Sequence, residues 1–255
     1  MQPDYKNWVP KGMAYGLAAG TAALAAGTAV LWSKSIIART VFGVGTTACG
    51  AFAAWSFAAR QAFSFEDAGS LSRRIVEGTA ERVAVPEGGA CLDVGCGSGA
   101  LSIAVAKRNP GAQVVGVDLW GPEYASFSQE LCESNAVAEG VSNTSFKPGD
   151  ARSLPFADES FDAVTSNFVY HNITGANKQA LLRETLRVLR KGGSFAIHDL
   201  MGPARYGDMQ AFVKSLRAEG YERVELIPTD NGLFMDKGEA TLMMLTGSML
   251  LVGVK

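Results

Sequence analysis

Leu92-Asp93-Val94-Gly95-Cys96-Gly97-Ser98-Gly99 decides the fold. The apolar run 90–94 enters a turn of three glycines, and a helical pattern leaves it and runs to Arg108. Glycines at such a turn permit positive φ and let a ligand approach the backbone closely. Working outward, Asn109-Pro110-Gly111 stops that helix, and residues 112–118 form a second apolar strand. Pro122 suits the first position of a helix that ends near Gly140. Strands follow at 144–147 and 161–168, then a helix at 177–190 that is halted by Gly192-Gly193. A strand at 194–200, a helix at 206–219 and strands at 222–229 and 248–254 complete the chain. On the other side of the turn, Leu71, Ile75, Val76, Ala80 and Val83 make one helical stripe. This alternation predicts an α/β fold with a doubly wound, mostly parallel sheet. The last two strands break it and predict an antiparallel edge.

The turn also carries chemistry. Its spacing is G-x-G-x-G, whereas the dinucleotide fingerprint is G-x-G-x-x-G. Asp93 immediately precedes the glycines, where a carboxylate repels a pyrophosphate but suits an ammonium group. Asp118 ends the second strand, where it can accept both hydroxyls of a ribose. Nicotinamide-dependent oxidoreductases share that last feature, so at this point such an enzyme remains the alternative.

Further along stand Gly149-Asp150-Ala151 and Leu154-Pro155-Phe156-Ala157-Asp158-Glu159-Ser160-Phe161-Asp162. With LDVGCGSG, VVGVD, GDARSLPF, FDAVTSNFVYHN and LRVLRKGGSFAIHDL in series, residues 70–255 resemble the class I S-adenosylmethionine-dependent methyltransferases. Within that family they are similar to the small-molecule branch that includes ubiquinone and menaquinone biosynthesis methyltransferases. The resemblance implies a seven-stranded sheet in the order 3-2-1-4-5-7-6 and S-adenosylmethionine as cofactor. It implies that Asp93 and the turn Gly95, Cys96 and Gly97 hold the methionine moiety. Asp118 would bind the ribose, Leu119 would pack on the adenine, and Asp150 with Ala151 would meet the adenine amino group. Asn167 would contact the methionine end. Cys96 reads as a small residue that fits the turn, not as a nucleophile. A tethered cofactor-binding protein without catalysis is a second alternative, because no decisive acid or base stands out in the sequence.

Methyl transfer from a sulfonium needs alignment and exclusion of water, and needs a base only when the acceptor arrives protonated. Ligands of open α/β sheets lie beyond the carboxyl ends of the strands. The fourth strand delivers Asn167, Phe168, Tyr170 and His171 to that rim, and the fifth delivers His198 and Asp199. His171 is the first catalytic candidate, as a general base or a group that orients the acceptor, and Tyr170 is the second, placed to stack near the sulfonium or to line the acceptor pocket. His198 lies inside its strand and reads as structural. Asp199 is a further carboxylate at the rim. The connector before the last strand holds Leu233, Phe234, Met235, Leu242, Met243, Met244 and Leu245, which suit either a core or the wall of a pocket for a lipophilic acceptor.

The remaining residues, 1–60, read as a separate domain ahead of a methyltransferase domain at 61–255. The chain has 255 residues, 47% of them hydrophobic and only 19% charged, and residues 12–59 contain just Lys34 and Arg39 as charges. Residues 13–32 and 40–59 are uncharged twenty-residue runs, the length that crosses a hydrocarbon core. Gly16 and Gly20 have small-xxx-small spacing, and Gly27, Gly43 and Gly50 add small positions for close helix packing. Trp8, Trp32 and Trp55 lie near the ends of the runs. This predicts two transmembrane helices as an anchor. A signal peptide and a pair of apolar helices covering the catalytic domain fit the same composition. A signal peptide would export the domain away from its cofactor, whereas an anchor leaves it facing the cytoplasm. Of 23 Lys and Arg and 25 Asp and Glu, four basic and one acidic fall in the first 59 residues, so the remainder is acidic. Nucleic acid, which demands a basic surface, is excluded as a partner. The four cysteines show no metal-ligand spacing, and no metal site is expected. The expected partners are a small or lipophilic methyl acceptor and the membrane.

Overall fold

The computed structural model describes residues 2–121 and 126–255. The chain divides into two units, Asn7–Ser72 and Met1–Lys6 with Arg73–Lys255. The boundary expected at residue 60 thus moves to 72, and the first six residues group with the larger unit.

The larger unit is built on a seven-stranded sheet in the order β3-β2-β1-β4-β5-β7-β6. The strands are β1 (Ala90–Val94), β2 (Gln113–Asp118), β3 (Thr144–Pro148), β4 (Phe161–Asn167), β5 (Leu189–Leu200), β6 (Arg223–Pro228) and β7 (Ser248–Val254). β7 runs antiparallel to both β5 and β6, and the other pairs are parallel. The predicted order and antiparallel edge are both present. β1 and β4 are buried along nearly their whole length, as the central strands of a sheet covered on both faces must be.

The helices of this unit are α3 (Leu71–Ala80), α4 (Ala100–Arg108), α5 (Gln129–Ala138), α6 (Lys178–Arg187), α7 (Pro203–Tyr206), α8 (Met209–Ala218) and α9 (Lys237–Leu242). Three local choices differ from expectation. The helix start expected at Pro122 lies outside the described residues, and α5 begins at Gln129 with Ser128 accepting from the Leu131 amide at 3.1 Å. The predicted helix at 206–219 is two helices. Gly207 takes φ +69° between them, and Asp208 caps the second through the Ala211 amide. The strand expected at 194 begins at Leu189, with a register shift between Phe161 and Ala163. Gly193 sits at that irregularity, where a Cβ would lie 2.8 Å from the Asp162 carbonyl.

In the smaller unit, α1 (Lys11–Leu31) and α2 (Ile36–Ala62) form an antiparallel hairpin, and Ser35 caps α2 through the Ala38 amide. Small residues set the spacing. A Cβ on Gly20 would lie 3.5 Å from Cys49 Sγ, one on Gly50 3.3 Å from Thr21, and one on Gly27 2.6 Å from the Phe42 ring. Gly16 and Gly43, expected at the same seam, have nothing within 4 Å. Thr21, Thr28 and Thr46 return their hydroxyls to the carbonyls four residues earlier, so the seam exposes no unmet donor there. Val30, Ile36, Ile37, Val41, Val44 and Phe52 point outward and are exposed. Both helices are long and apolar enough to cross a membrane.

Candidate active site

The site lies where β1, β2, β4 and β5 end. Beyond β1 the glycine turn is tied to the neighbouring strand. The amides of Gly95 and Cys96 both donate to the Val117 carbonyl, at 2.7 and 3.0 Å. Gly95 holds φ +72° and a Cβ there would strike Val169, so packing as well as conformation requires glycine. Gly97 holds φ +57° and is open, with nothing closer to its Cβ position than Phe127 at 3.9 Å.

Asp118 ends β2 at the rim. Its Oδ2 accepts from the Gly97 amide at 2.9 Å and its Oδ1 from the Trp120 amide at 2.8 Å. Each carboxylate oxygen keeps a second lone pair, so the group still has acceptor capacity for two hydroxyls. Trp120 was not singled out in the sequence. Its indole Nε1 donates to the Gly97 carbonyl at 2.9 Å, and the Cys132 thiol donates to the same oxygen at 3.2 Å. Gly97 is thus gripped at both ends of its peptide by the segment after β2. Leu119, expected against the adenine, is 58% exposed.

Asp93 departs from its expected role. The carboxylate lies beneath the turn, 1% exposed, and does not face outward toward an ammonium group. Its oxygens accept from Ser102 Oγ at 2.6 Å and Thr165 Oγ1 at 3.0 Å. Burial raises its pKa to about 6, against the opposing pull of these two hydroxyls. Asp93 therefore braces β1 against α4 and β4. Cys96 is buried, and burial pushes its thiol well above the usual range, which leaves it an inert small residue. Asp150 is covered by Arg152, whose guanidinium donates to both carboxylate oxygens and holds the carboxyl below its ordinary range. Ala151 beside it packs against the core.

The fourth and fifth strands carry a second cluster. Asp199 is fully buried and accepts five hydrogen bonds. Oδ1 takes His171 Nδ1 at 2.5 Å and the Leu200 amide at 2.7 Å. Oδ2 takes the Tyr170 amide at 2.8 Å, the His171 amide at 3.2 Å and the Tyr206 hydroxyl at 2.8 Å. Burial raises its pKa, but His171 above all, then Tyr206 and Leu200, outweigh burial and hold it below the ordinary value. Ionised Asp199 can only accept, so the His171 Nδ1 that meets it carries a proton. In the neutral ring Nε2 is left with a lone pair, the arrangement of an oriented base. The His171 side chain is 16% exposed, so that nitrogen is not sealed in the core.

Backbone strain places this histidine. Phe168 follows β4 with φ +55°, a conformation that costs a non-glycine residue about 1–2 kcal/mol. Its amide donates to the His198 carbonyl at 2.8 Å, and a single 3-10 turn, Tyr170–Asn172, folds back over Asp199. The Phe168 ring packs between His171 and His198, with centroids at 5.9 and 4.6 Å, and Phe234 meets His198 at 5.3 Å.

Two expectations at this cluster are corrected or sharpened. Tyr170 does not line the site: it is fully buried and its hydroxyl bonds Thr185 at 2.6 Å. His198 is structural, as expected. Burial lowers its pKa to about 3, so it stays neutral. Its Nδ1 donates to Asn167 Oδ1 at 2.8 Å, and Nε2 accepts from Thr229 at 2.9 Å. The side-chain oxygen of Asn167 is thereby turned toward His198. The connector between β6 and β7 divides its apolar residues. Phe234, Met235, Met243 and Leu245 are buried, whereas Leu233, Leu242 and Met244 are 40%, 55% and 59% exposed. Among the described residues no cluster of side chains suits a metal ion.

Comparison with known proteins agrees with this architecture. Residues 92–197 match the family model described as a methyltransferase domain. A demethylmenaquinone methyltransferase of Roseiflexus castenholzii is 36% identical over 125 residues, which is 49% of this chain and 48% of that protein. An arsenite methyltransferase of Halobacterium salinarum is 33% identical over 166 residues, 58% of this chain and 41% of that protein. The chain thus spans about half the length of these relatives or less. Among solved structures, a phosphoethanolamine N-methyltransferase of Haemonchus contortus superimposes with a TM-score of 0.54 at 15% identity, covering 73% of this chain and 53% of that one. A methyltransferase in complex with the Trm112 activator of Haloferax volcanii gives 0.51 at 22% identity, with 71% and 88% covered. At these identities the structural likeness speaks for the fold. The match of residues 92–197 to a methyltransferase domain sets aside the nicotinamide-dependent alternative, and the motifs and sheet order are similar to those of the class I S-adenosylmethionine-dependent methyltransferases.

Proposed function

We propose that this chain is a membrane-tethered enzyme that transfers the methyl group of S-adenosylmethionine to a lipophilic acceptor bearing a hydroxyl. The observation that carries this reading is the His171–Asp199 pair at the carboxyl rim of β4 and β5, in which Nδ1 of His171 meets the carboxylate and Nε2 meets no hydrogen-bond partner among the described residues. The fit to the cofactor rests on the open turn at Gly97 and on Asp118, whose oxygens retain capacity for a ribose diol. When bound, the cofactor supplies an activated methyl carbon whose bond to sulfur breaks as the acceptor's bond forms.

The chain's residues then have two tasks. Asp118 and the Gly97 peptide hold the nucleoside, so that alignment is achieved before reaction. His171 accepts the hydroxyl proton at Nε2 while the acceptor's electron pair attacks, and buried Asp199 offsets the imidazolium charge. The proton leaves to solvent afterwards, which returns the base. An amine or thiol acceptor has less need of such a base. The apolar setting, with Phe168 beside His171 and Phe234 against His198, suits a ring or chain with little polarity. The name of one relative, a demethylmenaquinone methyltransferase, makes demethylmenaquinone in its reduced, hydroxyl-bearing form the first acceptor to try. The outward apolar faces of α1 and α2 support a bilayer tether, with the catalytic unit on the cytoplasmic side where the cofactor is made.

Labelled methyl transfer to a panel of acceptors, with the full chain in detergent, tests the reaction. Quinols and other apolar hydroxyl compounds should be methylated, and His171→Ala should lower turnover about 100-fold or more. Transfer only to thiols or amines, at a rate indifferent to His171, would refute the proposal. For the tether, carbonate-washed membranes should retain the full chain; release to the soluble fraction would count against it.

A further inference from the structure

The first residues of the chain fold back onto the catalytic unit through one buried side chain. Asn135 on α5 is 1% exposed. Its Oδ1 accepts from the Asp4 amide at 2.7 Å, and its Nδ2 donates to the Asp4 carbonyl at 3.1 Å. The second Nδ2 hydrogen goes to the Ser98 carbonyl at 2.9 Å, inside the glycine turn. The partners dictate the amide's orientation, because two carbonyls need donors and one N–H needs an acceptor. One residue further, Tyr5 is buried, and its hydroxyl donates to Glu139 at 3.0 Å. Glu139 also takes the Lys107 ammonium at 2.5 Å, in the last turn of α4, the helix that leaves the turn.

On this geometry we propose that residues 2–6 are a strap that positions the cofactor turn, with Asn135 as the positioning residue that links them. The proposal rests on the reading of the glycine turn as the S-adenosylmethionine site. Cys132 and Asn135 are three residues apart on α5, so they share a face, and both reach the turn. Cys132 fastens the Gly97 carbonyl and Asn135 fastens that of Ser98, between two glycines that hold φ +57° and +84°. Such glycines are free to rearrange, and the side-chain bonds choose one conformation. Without the strap, Asn135 keeps only its bond to Ser98 and must find water for its oxygen and one N–H. Seating of the strap and of the cofactor are then coupled, and coupling is reciprocal: each strengthens the other by the same factor. The strap also ends where the apolar hairpin unit begins, at Asn7. In the folded chain that unit is therefore an insertion between two parts of the catalytic unit.

The test uses the full chain in detergent with S-adenosylhomocysteine as the probe. Asn135→Asp preserves shape and the acceptor for the Asp4 amide, but turns lone pairs toward the Ser98 and Asp4 carbonyls. It should weaken S-adenosylhomocysteine binding about tenfold, the equivalent of one lost hydrogen bond. In the wild type, saturating ligand should slow amide hydrogen exchange at residues 2–6, and in Asn135→Asp it should not. Tyr5→Phe removes only the hydroxyl and should speed exchange of the strap without unfolding the chain. Binding by Asn135→Asp within twofold of wild type, or wild-type strap exchange that ignores the ligand, overturns the proposal. If Asn135→Asp does not fold, the wild-type and Tyr5→Phe exchange measurements decide. A wild type that binds no S-adenosylhomocysteine refutes the cofactor reading itself and the strap with it.

Discussion

Replacing Asp199 with Asn isolates what orients the base. The five donors on this carboxylate leave an amide no comfortable placement. On the Oδ2 side the backbone N–H groups of Tyr170 and His171 both demand an acceptor, so the Asn oxygen belongs there. The Asn amino group is forced onto the other side, where it faces the Leu200 amide and His171 Nδ1. His171 must then accept at Nδ1 and carry its proton on Nε2, the nitrogen that is to act as base. Loss of a positioned base costs about 10²- to 10⁴-fold in turnover, roughly 3–5 kcal/mol of barrier. The Leu200 amide loses its partner in a buried place, at a cost of about 1–3 kcal/mol in stability. The assay is single-turnover methyl transfer at saturating cofactor and acceptor, below the melting temperature of both proteins, with S-adenosylhomocysteine affinity measured alongside. Asp199→Asn should lose turnover by at least 100-fold while affinity changes less than threefold, because the cofactor cradle lies on other strands. Turnover within threefold of wild type would refute the tautomer-setting role.

Asp118→Ala removes the acceptor for the Gly97 amide and both ribose bonds. At about 1.5 kcal/mol for each charge-assisted bond to the diol, calorimetry should record an affinity loss near 100-fold for S-adenosylhomocysteine. An unchanged dissociation constant would remove Asp118 from the site. Asp93 predicts a pH effect of unusual sign. Its pKa rises from 3.8 to about 6 on folding, so the folded chain takes up this proton first as pH falls. Ionised Asp93 therefore subtracts about 3 kcal/mol above pH 6, a penalty that fades between pH 6 and pH 4. Denaturant unfolding should show Asp93→Asn gaining on wild type at pH 7 and losing that advantage near pH 4.5. A difference that does not vary with pH would mean the carboxyl is not buried as described.

Much of this was legible from local pattern. Gly95, Gly97 and Gly99 mark the turn because positive φ is a backbone property that sequence states directly. The alternation of 3.6-residue and continuous apolar runs gives the sheet, and even its antiparallel edge. What escaped belongs to tertiary contact. Asp93 looks available beside its glycines, and only Ser102 and Thr165, nine and 72 positions away, show that it is braced. Tyr170 sits next to His171 in sequence, yet the strained turn at Phe168 sends one side chain inward and the other to the rim. Asp199 becomes the partner of His171 through the β4–β5 register, where Asn167 pairs with His198. Trp120 gave no signal at all, since its indole acts on Gly97 only once β1 and β2 lie side by side. Gly16 has the same small-residue spacing as Gly20, and Gly43 is another small position, yet a Cβ at either would meet nothing within 4 Å, so where two helices come close is set by their tertiary contact and not by spacing alone.

The most direct measurement is calorimetric titration of the full chain in detergent with S-adenosylhomocysteine, with NADH as the control ligand. Saturable binding of one S-adenosylhomocysteine per chain and none of NADH is the expected result. Binding of NADH alone, or no heat with either nucleotide, would contradict the assignment of the Gly97–Asp118 cradle.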